Sequence, residues 1–325
     1  MKSLLWIVVL AVLYANPTWA QTAAPKDCRL KRVASLDVVV NPSHEIMVPV
    51  TLDGSPFRMR LTLASAASII FKSVVTARKL PTRPLGTDAV TYGNTRLTET
   101  ARVDGLALGN ARYGRADLLV LAEDGAVPAD DIIGNIGMDL LSSLDIELDL
   151  AHRKLNLFSQ DHCPGDVVYW SATYNTAPMR RGEIGNVYFP MELEGRRIDA
   201  TLATSTPVTT LTTDVTERLY GFDEHSAGVE TEVTRGGSVV RQYRAMELTS
   251  SGFSVMNARI QLLPKPASCS VTVGFGKDGE AAYDRGCLGG VPLRIGMNVL
   301  EQLHIYIATK EKMLYFTVQN PEPPN

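Results

Sequence analysis

One stretch of this sequence occurs twice: residues 44–70 read HEIMVPVTLDGSPFRMRLTLASAASII, and residues 185–211 read GNVYFPMELEGRRIDATLATSTPVTTL. Each copy alternates apolar and polar residues on both sides of a turn that contains glycine, which is typical of a β-hairpin. Each copy then ends in a run of small residues. At an offset of 141, four identities coincide: Pro49 with Pro190, Leu52 with Leu193, Gly54 with Gly195, and Leu61 with Leu202. We therefore expect two halves with the same order of elements.

A second pair of blocks supports this plan at an offset of 159. Residues 137–158 read GMDLLSSLDIELDLAHRKLNLF, and residues 296–317 read GMNVLEQLHIYIATKEKMLYFT. Each block predicts a short helix, residues 138–144 or 297–303, followed by a β-hairpin. The offset grows by 18 (159 − 141), so the second half contains an insertion. The break between the halves is expected near residues 161–169, which gives domains 21–163 and 164–325.

Composition limits the class of protein. The chain has 325 residues, of which 45% are hydrophobic and 21% charged, as in ordinary folded proteins. The net charge is −3, and no run of five like charges occurs. These values exclude disordered and collagen-like proteins and argue against nucleic-acid binding.

The first twenty residues have the features of a secretory signal peptide. Lys2 precedes an apolar run at residues 4–14, and Thr18-Trp19-Ala20 offers small residues for cleavage after Ala20. Eleven apolar residues are too few to span a bilayer, which needs about 20. We therefore expect a secreted or periplasmic protein without a stable membrane anchor after cleavage. An uncleaved N-terminal anchor is the alternative.

The four cysteines fit an exported protein. An even number suggests two disulfides, and three pairings are possible among Cys28, Cys163, Cys269 and Cys287. We favour Cys269–Cys287, which closes a local segment in the insertion, and therefore Cys28–Cys163. Free buried thiols are the alternative. The sequence has no Cys-x-x-Cys spacing and its histidines are scattered, so we predict no metal site.

These patterns predict an all-β protein with two pseudo-symmetric, barrel-like lobes and a cleft between them. At the repeated blocks, each half resembles a retropepsin-type unit of the aspartic peptidases. That pattern is two strands, an apolar-Asp-Thr-Gly triplet, and Ser/Thr-apolar-apolar, followed later by a glycine before a helix. In bacterial members the later motif often reads Gly-Met-Asp-x-Leu, as residues 137–141 do here. The resemblance implies a retropepsin- or pepsin-like fold.

The triplets themselves depart from that family. Anchoring Ser68 and Thr209 on the Ser/Thr position places Thr62-Leu63-Ala64 and Ala203-Thr204-Ser205 on Asp-Thr-Gly. A shift of one residue in the first half would put Leu63 on the aspartate position instead, and neither register supplies a carboxylate. Other nearby acids are expected to be solvated: Asp53, Asp199 and the alternating acids Asp145, Glu147 and Asp149. The resemblance also implies that the Thr204 hydroxyl braces the two loops, with Leu63 replacing its partner by packing.

The prediction for function is a retropepsin-like protein that has lost its catalytic dyad and binds peptide or protein between its lobes, without a cofactor. The candidate cleft residues are Thr62, Leu63, Ala64, Ser65, Ala203, Thr204, Ser205 and Thr206. One alternative is an active aspartic endopeptidase that uses another carboxylate or pairs with a homologous peptidase. A second alternative is a structural or assembly protein.

Overall fold

The computed structural model describes residues 28–86, 90–92, 95–123, 131–182, 187–234, 237–251, 253–264, 274–275, 281–282 and 293–319. Strands make up most of its regular structure, and the helices are short. The all-β prediction is confirmed. No helix among these residues is long and apolar enough to cross a membrane.

The first half runs from its first strand, which begins at Arg32, to the end of the block at residues 137–158. Its strands and helices are β1 (Arg32–Asp37), β2 (Val39–Val40), β3 (Ile46–Leu52), β4 (Ser55–Leu61), β5 (Ile69–Phe71), α1 (Lys72–Arg78), β6 (Thr82–Pro84), β7 (Val90–Tyr92), β8 (Thr95–Leu97), β9 (Glu99–Leu108), β10 (Ala111–Leu121), β11 (Ile132–Ile136), α2 (Met138–Leu141), β12 (Asp145–Asp149) and β13 (Lys154–Phe158).

The second half repeats this order after a linker. Its strands and helices are β14 (Asn175–Pro178), β15 (Arg180–Arg181), β16 (Val187–Leu193), β17 (Arg196–Leu202), β18 (Thr209–Thr212), α3 (Thr213–Val215) with a π-helical turn (Thr216–Tyr220), β19 (Val229–Val233), β20 (Val239–Ser250), β21 (Phe253–Leu263), β22 (Gly274–Phe275), β23 (Ala281–Ala282), β24 (Leu293–Ile295), α4 (Met297–Leu300), β25 (Leu303–Ala308) and β26 (Met313–Val318).

Each half closes into a barrel of six strands. In the first, the ring runs β3–β4–β11–β5–β10–β9 and returns to β3; in the second it runs β16–β17–β24–β18–β21–β20 and returns to β16. The predicted hairpins β3–β4 and β16–β17 are antiparallel pairs in these rings. Their alternate residues face inward as a buried apolar core, for example Val48 and Leu52 in β3. The two predicted barrel lobes are therefore confirmed.

A third sheet joins the halves. Its strand order is β1–β13–β12–β25–β26–β14, with three strands from each half. The central pair β12–β25 is antiparallel, and Glu147 lies opposite Tyr306. The hairpins β12–β13 and β25–β26 that the second blocks predicted are present. Helices α2 and α4 are shorter than predicted, because the chain turns after Leu141 and Leu300 to enter this sheet.

The linker between the halves covers the outer face of this sheet. Val167 and Trp170 pack there against Phe158, Tyr306 and Tyr315. Cys163 in the linker forms a disulfide with Cys28, which lies just before β1, so this predicted pairing is confirmed. Cys269, Cys287 and the predicted signal peptide lie outside the described residues.

Candidate functional site

The two loops that follow β4 and β17 occupy equivalent positions in the two lobes. The backbone N–H of Thr62 donates to the carbonyl of Ile136 at 2.9 Å, and that of Ala203 donates to the carbonyl of Ile295 at 2.8 Å. The offsets, 141 between the donors and 159 between the acceptors, are those of the two sequence blocks. Thr62 and Ala203 are therefore structural counterparts, and a register that replaces Thr62 by Leu63 does not fit the fold.

One hydroxyl group fastens the two loops to each other. Thr204 Oγ1 donates to the carbonyl of Leu61 at 2.7 Å and accepts the N–H of Leu63 at 3.1 Å. The Thr204 side chain is fully buried. The Leu63 side chain belongs to the apolar core, so the reciprocal position contributes packing and no hydroxyl. This one-sided brace is the arrangement that the resemblance noted in the sequence implied.

The paired positions have no acid–base group. Thr62 Oγ1 donates to the carbonyl of Ile136 at 2.8 Å within its own lobe, and Ala203 has only a methyl group. Asp53 lies in an exposed turn, as expected. The expectation of a solvated Asp199 is wrong, because Asp199 is buried and its carboxylate binds Arg180.

Most of the predicted cleft residues lie beneath the surface. Thr62, Leu63, Ala64, Ser65, Ala203 and Thr204 are buried, whereas Ser205 and Thr206 are half-buried. The brace and the barrel cores explain this, because they pack the two loops closely together. Ser205 and Thr206 are thus the members of the predicted set that offer side chains to a ligand.

Each loop is supported from below by a glycine and a polar pair. In the first half, the Ser68 hydroxyl donates to Asp139 Oδ1 at 2.5 Å and accepts the N–H of Gly137 at 2.9 Å. In the second half, the Thr209 hydroxyl donates to Asn298 Oδ1 at 2.9 Å and accepts the N–H of Gly296 at 3.1 Å. The two halves differ here in the charge of the acceptor.

Both glycines are required by close packing. A Cβ atom on Gly137 would lie 2.6 Å from the carbonyl oxygen of Ala67, and one on Gly296 would lie 2.4 Å from the carbonyl carbon of Val208. These neighbours are backbone atoms, which cannot move aside without disturbing the loops. The Gly-Met pairs of the sequence therefore mark the point where each helix start meets its loop.

Five polar residues that the sequence did not predict lie outside the barrel cores, four of them on barrel strands and one, Tyr92, on the hairpin β7–β8. We call them the polar face: Arg60, Tyr92, Asn135, Thr201 and Arg294. In the first lobe, Arg60 donates to Asn135 Oδ1 at 3.2 Å, and Asn135 Nδ2 donates to the Tyr92 hydroxyl at 3.2 Å. Arg60 also pairs with Glu45 at 2.8 Å. The first-lobe groups are therefore linked in a chain.

The second lobe places Arg294 where the first has Asn135, at the offset of 159. Arg294 lies beside Thr201 in the register of β17 and β24, and both point away from the core that receives Leu293 and Ile295. Thr201 Oγ1 and Arg294 Nε are buried and have no hydrogen-bond partner in the structure as described. Burial lowers the pKa of Arg294, and Tyr92 of the first lobe is close enough to raise it in part.

The acids of β12 are buried, so the prediction of a solvated sheet face is wrong. Asp145, Glu147 and Asp149 are at most 9% exposed because the linker covers this face. Glu147 accepts hydrogen bonds from Tyr169 at 2.7 Å and Asn156 at 2.8 Å, and lies 2.7 Å from His304 Nε2. Asp145 lies 2.5 Å from His162 Nε2. This is a structural network on the far side of the sheet from the loops.

Hydrogen bonding sets the charge of this network. Burial opposes ionisation of Glu147 and Asp149, but hydrogen bonds to each carboxylate outweigh it and hold both pKa values below their usual range. Burial also opposes the charged form of His162, but its contacts with Asp145 and Glu311 outweigh that effect and raise its pKa. Among the described residues, no group of three or more acids, histidines or cysteines is arranged to hold a metal ion.

Comparison with known proteins bears on the fold. No protein-family model and no curated protein matches the sequence. Among solved structures, an aspartic proteinase from Irpex lacteus aligns with a TM-score of 0.50 and 12% identity, covering 88% of this chain and 97% of that one. This chain has an aspartic proteinase fold. Conglutin gamma, a basic 7S globulin from lupine seeds, aligns with a TM-score of 0.48 and 10% identity, covering 90% of this chain and 96% of the globulin.

Proposed function

We propose that this protein is an exported, catalytically inactive member of the aspartic-peptidase fold that binds extended peptide segments between its lobes. The observation that carries the proposal is the pair Thr62 and Ala203. These residues occupy equivalent places beside the Thr204 brace, and neither has a carboxylate. The resemblance noted in the sequence puts the catalytic aspartates of active relatives at these two places.

The chemistry of peptide hydrolysis supports the proposal that this protein does not cleave peptides. Aspartic peptidases use two carboxylates that share a proton, one of which activates water while the other protonates the substrate carbonyl. General acid–base catalysis alone contributes about 10²- to 10⁴-fold. A threonine hydroxyl does not ionise in the useful range, and an alanine cannot transfer a proton. Asp199 is already engaged by Arg180, so it does not substitute for the missing pair.

Peptide binding is supported by the scaffold that remains. The hairpin β7–β8 packs on the first barrel through Leu97, which forms an apolar cluster with Ile69 and Leu119. Tyr92 at the end of β7 accepts a hydrogen bond from Asn135. A segment entering beside this hairpin would bind in an extended form, with backbone hydrogen bonds for affinity and side-chain pockets for selectivity. Of the predicted cleft residues, Ser205 and Thr206 are the two that are half-buried and open to contact.

Export is supported by the disulfide. A Cys28–Cys163 bond persists in oxidising compartments and is rare in the cytosol. The signal-peptide pattern of residues 1–20 points to the same destination, with cleavage after Ala20. Two alternatives remain: an active aspartic endopeptidase that uses a non-standard carboxylate or pairs with a homologous peptidase, and a structural or assembly protein.

The test is an assay of cleavage and binding on one peptide library. The purified mature protein is incubated with the library at pH 3 to 7, with and without pepstatin, and products are read by mass spectrometry. We expect no cleavage, together with retention of a subset of peptides. A double variant with Thr62→Asp and Ala203→Asp tests whether acids alone restore hydrolysis, and Thr62→Asn with Ala203→Asn is its uncharged control. Cleavage by the native protein that pepstatin blocks would overturn the proposal.

The place of binding is tested with a blocking substitution. Thr206→Tyr adds bulk at the half-buried loop, and Thr231→Tyr makes the same change on an exposed strand of the second lobe. We expect the first variant to lose the retained peptides and the second to keep them. Equal retention by both variants would place binding elsewhere and contradict the cleft assignment.

A further inference from the structure

The polar groups of the two lobes are bonded differently. In the first lobe Arg60 donates to Asn135 and Asn135 donates to Tyr92, while Arg60 Nε makes no hydrogen bond but forms an ion pair with Glu45. In the second lobe the equivalent region holds a guanidinium and a hydroxyl, and Arg294 Nε and Thr201 Oγ1 have no hydrogen-bond partner among the described residues. A buried polar atom without a partner costs free energy comparable to a lost hydrogen bond, so such pairs call for an explanation.

The surroundings of Arg294 define what would satisfy it. The strand β24 sends Leu293 and Ile295 into the barrel core and Arg294 to the opposite face, beside Thr201. That face is turned toward the first lobe, because Tyr92 there is near enough to act on the charge of Arg294. An arginine stays protonated under all ordinary conditions, so the second lobe presents a permanent positive charge, and its Nε–H has no hydrogen-bond partner among the described residues.

We propose that Arg294 and Thr201 form a carboxylate-binding site on the inter-lobe face of the second lobe, which takes an acidic group of a bound peptide. A guanidinium offers paired N–H donors whose geometry matches the two oxygens of a carboxylate. The Thr201 hydroxyl adds a donor next to it. This inference rests on the proposed peptide binding and names the class of peptide.

Two sources of the carboxylate share this chemistry: an Asp or Glu side chain and the C-terminus of a peptide. Matched sets of decapeptides separate them. The first set has glutamine at each variable position and a C-terminal amide. The second replaces glutamine by glutamate, and the third keeps glutamine but ends in a free acid. Affinities are measured by equilibrium dialysis with mass-spectrometric detection.

We expect one of the two acidic sets to bind about tenfold or more tightly than the neutral set. Arg294→Met should reduce that ratio to about one while leaving the neutral peptides bound. Arg112→Met is the control, because Arg112 is exposed on the first lobe and the substitution removes the same charge. Arg294→Lys keeps the charge without the paired donors, and we expect an intermediate ratio. An unchanged ratio in Arg294→Met would overturn the proposal.

A small carboxylate tests the site when no peptide is bound. Sodium propionate should raise the melting temperature of the full chain above that in sodium chloride at equal ionic strength, because a ligand of the native state stabilises it. Arg294→Met should abolish this difference, and Arg112→Met should keep it. Protection by propionate without peptide binding would support the site and sink the proposed function. Peptide binding with neither acid preference nor propionate protection would sink the site alone.

Stability distinguishes this role from a purely structural one. A buried charge with no partner destabilises the fold, so its removal is expected to raise the melting temperature in chloride buffer. Arg294→Met should therefore be at least as stable as the native chain while it loses its preference for acids. A large fall in the melting temperature, together with an unchanged acid preference, would mean that Arg294 serves the fold.

Discussion

In the first lobe, Ser68 binds a carboxylate, that of Asp139, whereas in the second lobe the equivalent Thr209 binds the amide of Asn298. The contact between the loops differs too: Thr204 of the second lobe forms hydrogen bonds to the first loop, whereas the equivalent Leu63 of the first lobe packs in the apolar core. The backbone bonds beneath these side chains are nevertheless the same in both lobes. In both lobes the frame is therefore held by glycine contacts and main-chain bonds, so the side chains on it can differ, including those of Thr62 and Ala203.

The largest loss of stability is expected at the two glycines that both lobes share, Gly137 and Gly296. Gly137→Ala and Gly296→Ala each drive a Cβ atom into backbone less than 3 Å away. We expect both to destabilise the protein by about 3 kcal/mol or more, at the upper end of overpacking costs. Urea unfolding of both variants measures this, with Gly114→Ala as the control, because a Cβ on Gly114 meets nothing within 4 Å. A small effect in one lobe only would break the equivalence.

The next effect concerns the one-sided brace. Thr204→Val removes a buried hydroxyl and leaves the N–H of Leu63 and the carbonyl of Leu61 without their partner. We expect a loss of about 2 to 3 kcal/mol, since each buried group left unpaired is costly. Thr100→Val is the matched control, because the buried Thr100 hydroxyl has no partner to lose. Chemical denaturation measures the free energy of unfolding of both variants. An equal loss of stability in Thr204→Val and Thr100→Val would contradict the role of Thr204 as a brace.

A smaller difference should separate the two supporting pairs. Ser68→Ala removes a hydrogen bond to a charged acceptor, and Thr209→Val removes one to a neutral amide. We expect about 2 kcal/mol for the first and about 1 kcal/mol for the second, because bonds to charged groups are stronger. Introducing Asp139→Asn first should make the cost of Ser68→Ala approach that of Thr209→Val. A cost of Ser68→Ala that does not depend on Asp139 would contradict this assignment.

The smallest effect is a pH dependence at the sheet between the lobes, where β12 supplies acids and β25 supplies His304. The raised pKa of His162 stabilises the fold fully below its unfolded pKa of about 6.5, and this contribution is lost as pH rises through the folded value. The lowered pKa values of Glu147 and Asp149 stabilise the fold above about pH 4 and fail as pH falls further.

We therefore expect the melting temperature to be highest between about pH 4.5 and 6.5 and to fall on both sides. His162→Gln should flatten the fall above pH 6.5 and leave the acid side unchanged. Thermal melts from pH 3 to pH 9 measure both limbs. A variant profile that keeps the native slope above pH 6.5 would show that another group titrates there.

The repeated blocks predicted the frame because their signals are local. Hairpin alternation, the Gly-Met pairs and the small-residue loops each lie within about twenty-five residues, so the offsets 141 and 159 predicted both barrels. The brace at Thr204 was implied by the resemblance to the aspartic peptidases. The Cys28–Cys163 bond followed from the choice of Cys269–Cys287 as the local pair, and only the first of these bonds lies within the described residues.

The sequence did not predict what covers each surface. Alternation put Asp145, Glu147 and Asp149 on one face of β12, but the linker that buries that face has no periodic pattern. Arg294 was not predicted for a related reason. It is the counterpart of Asn135 at the offset of 159, so the sequence shows that an arginine replaces an asparagine there. It does not show that Thr201 of β17 lies beside Arg294 or that Arg294 Nε has no hydrogen-bond partner among the described residues.

The sheet shared by the halves has a consequence for how the chain reaches its final form. Strand β12 has its first-half neighbour β13 on one side only, and its other edge is paired by β25, about 155 residues later. Until those last residues emerge, the first barrel carries a strand with open hydrogen-bonding groups, which is a template for mispairing. Contacts this distant in sequence also slow folding. The hairpin β25–β26 thus completes the sheet, and a chain truncated before residue 303 would leave the edge of β12 unpaired and prone to aggregation.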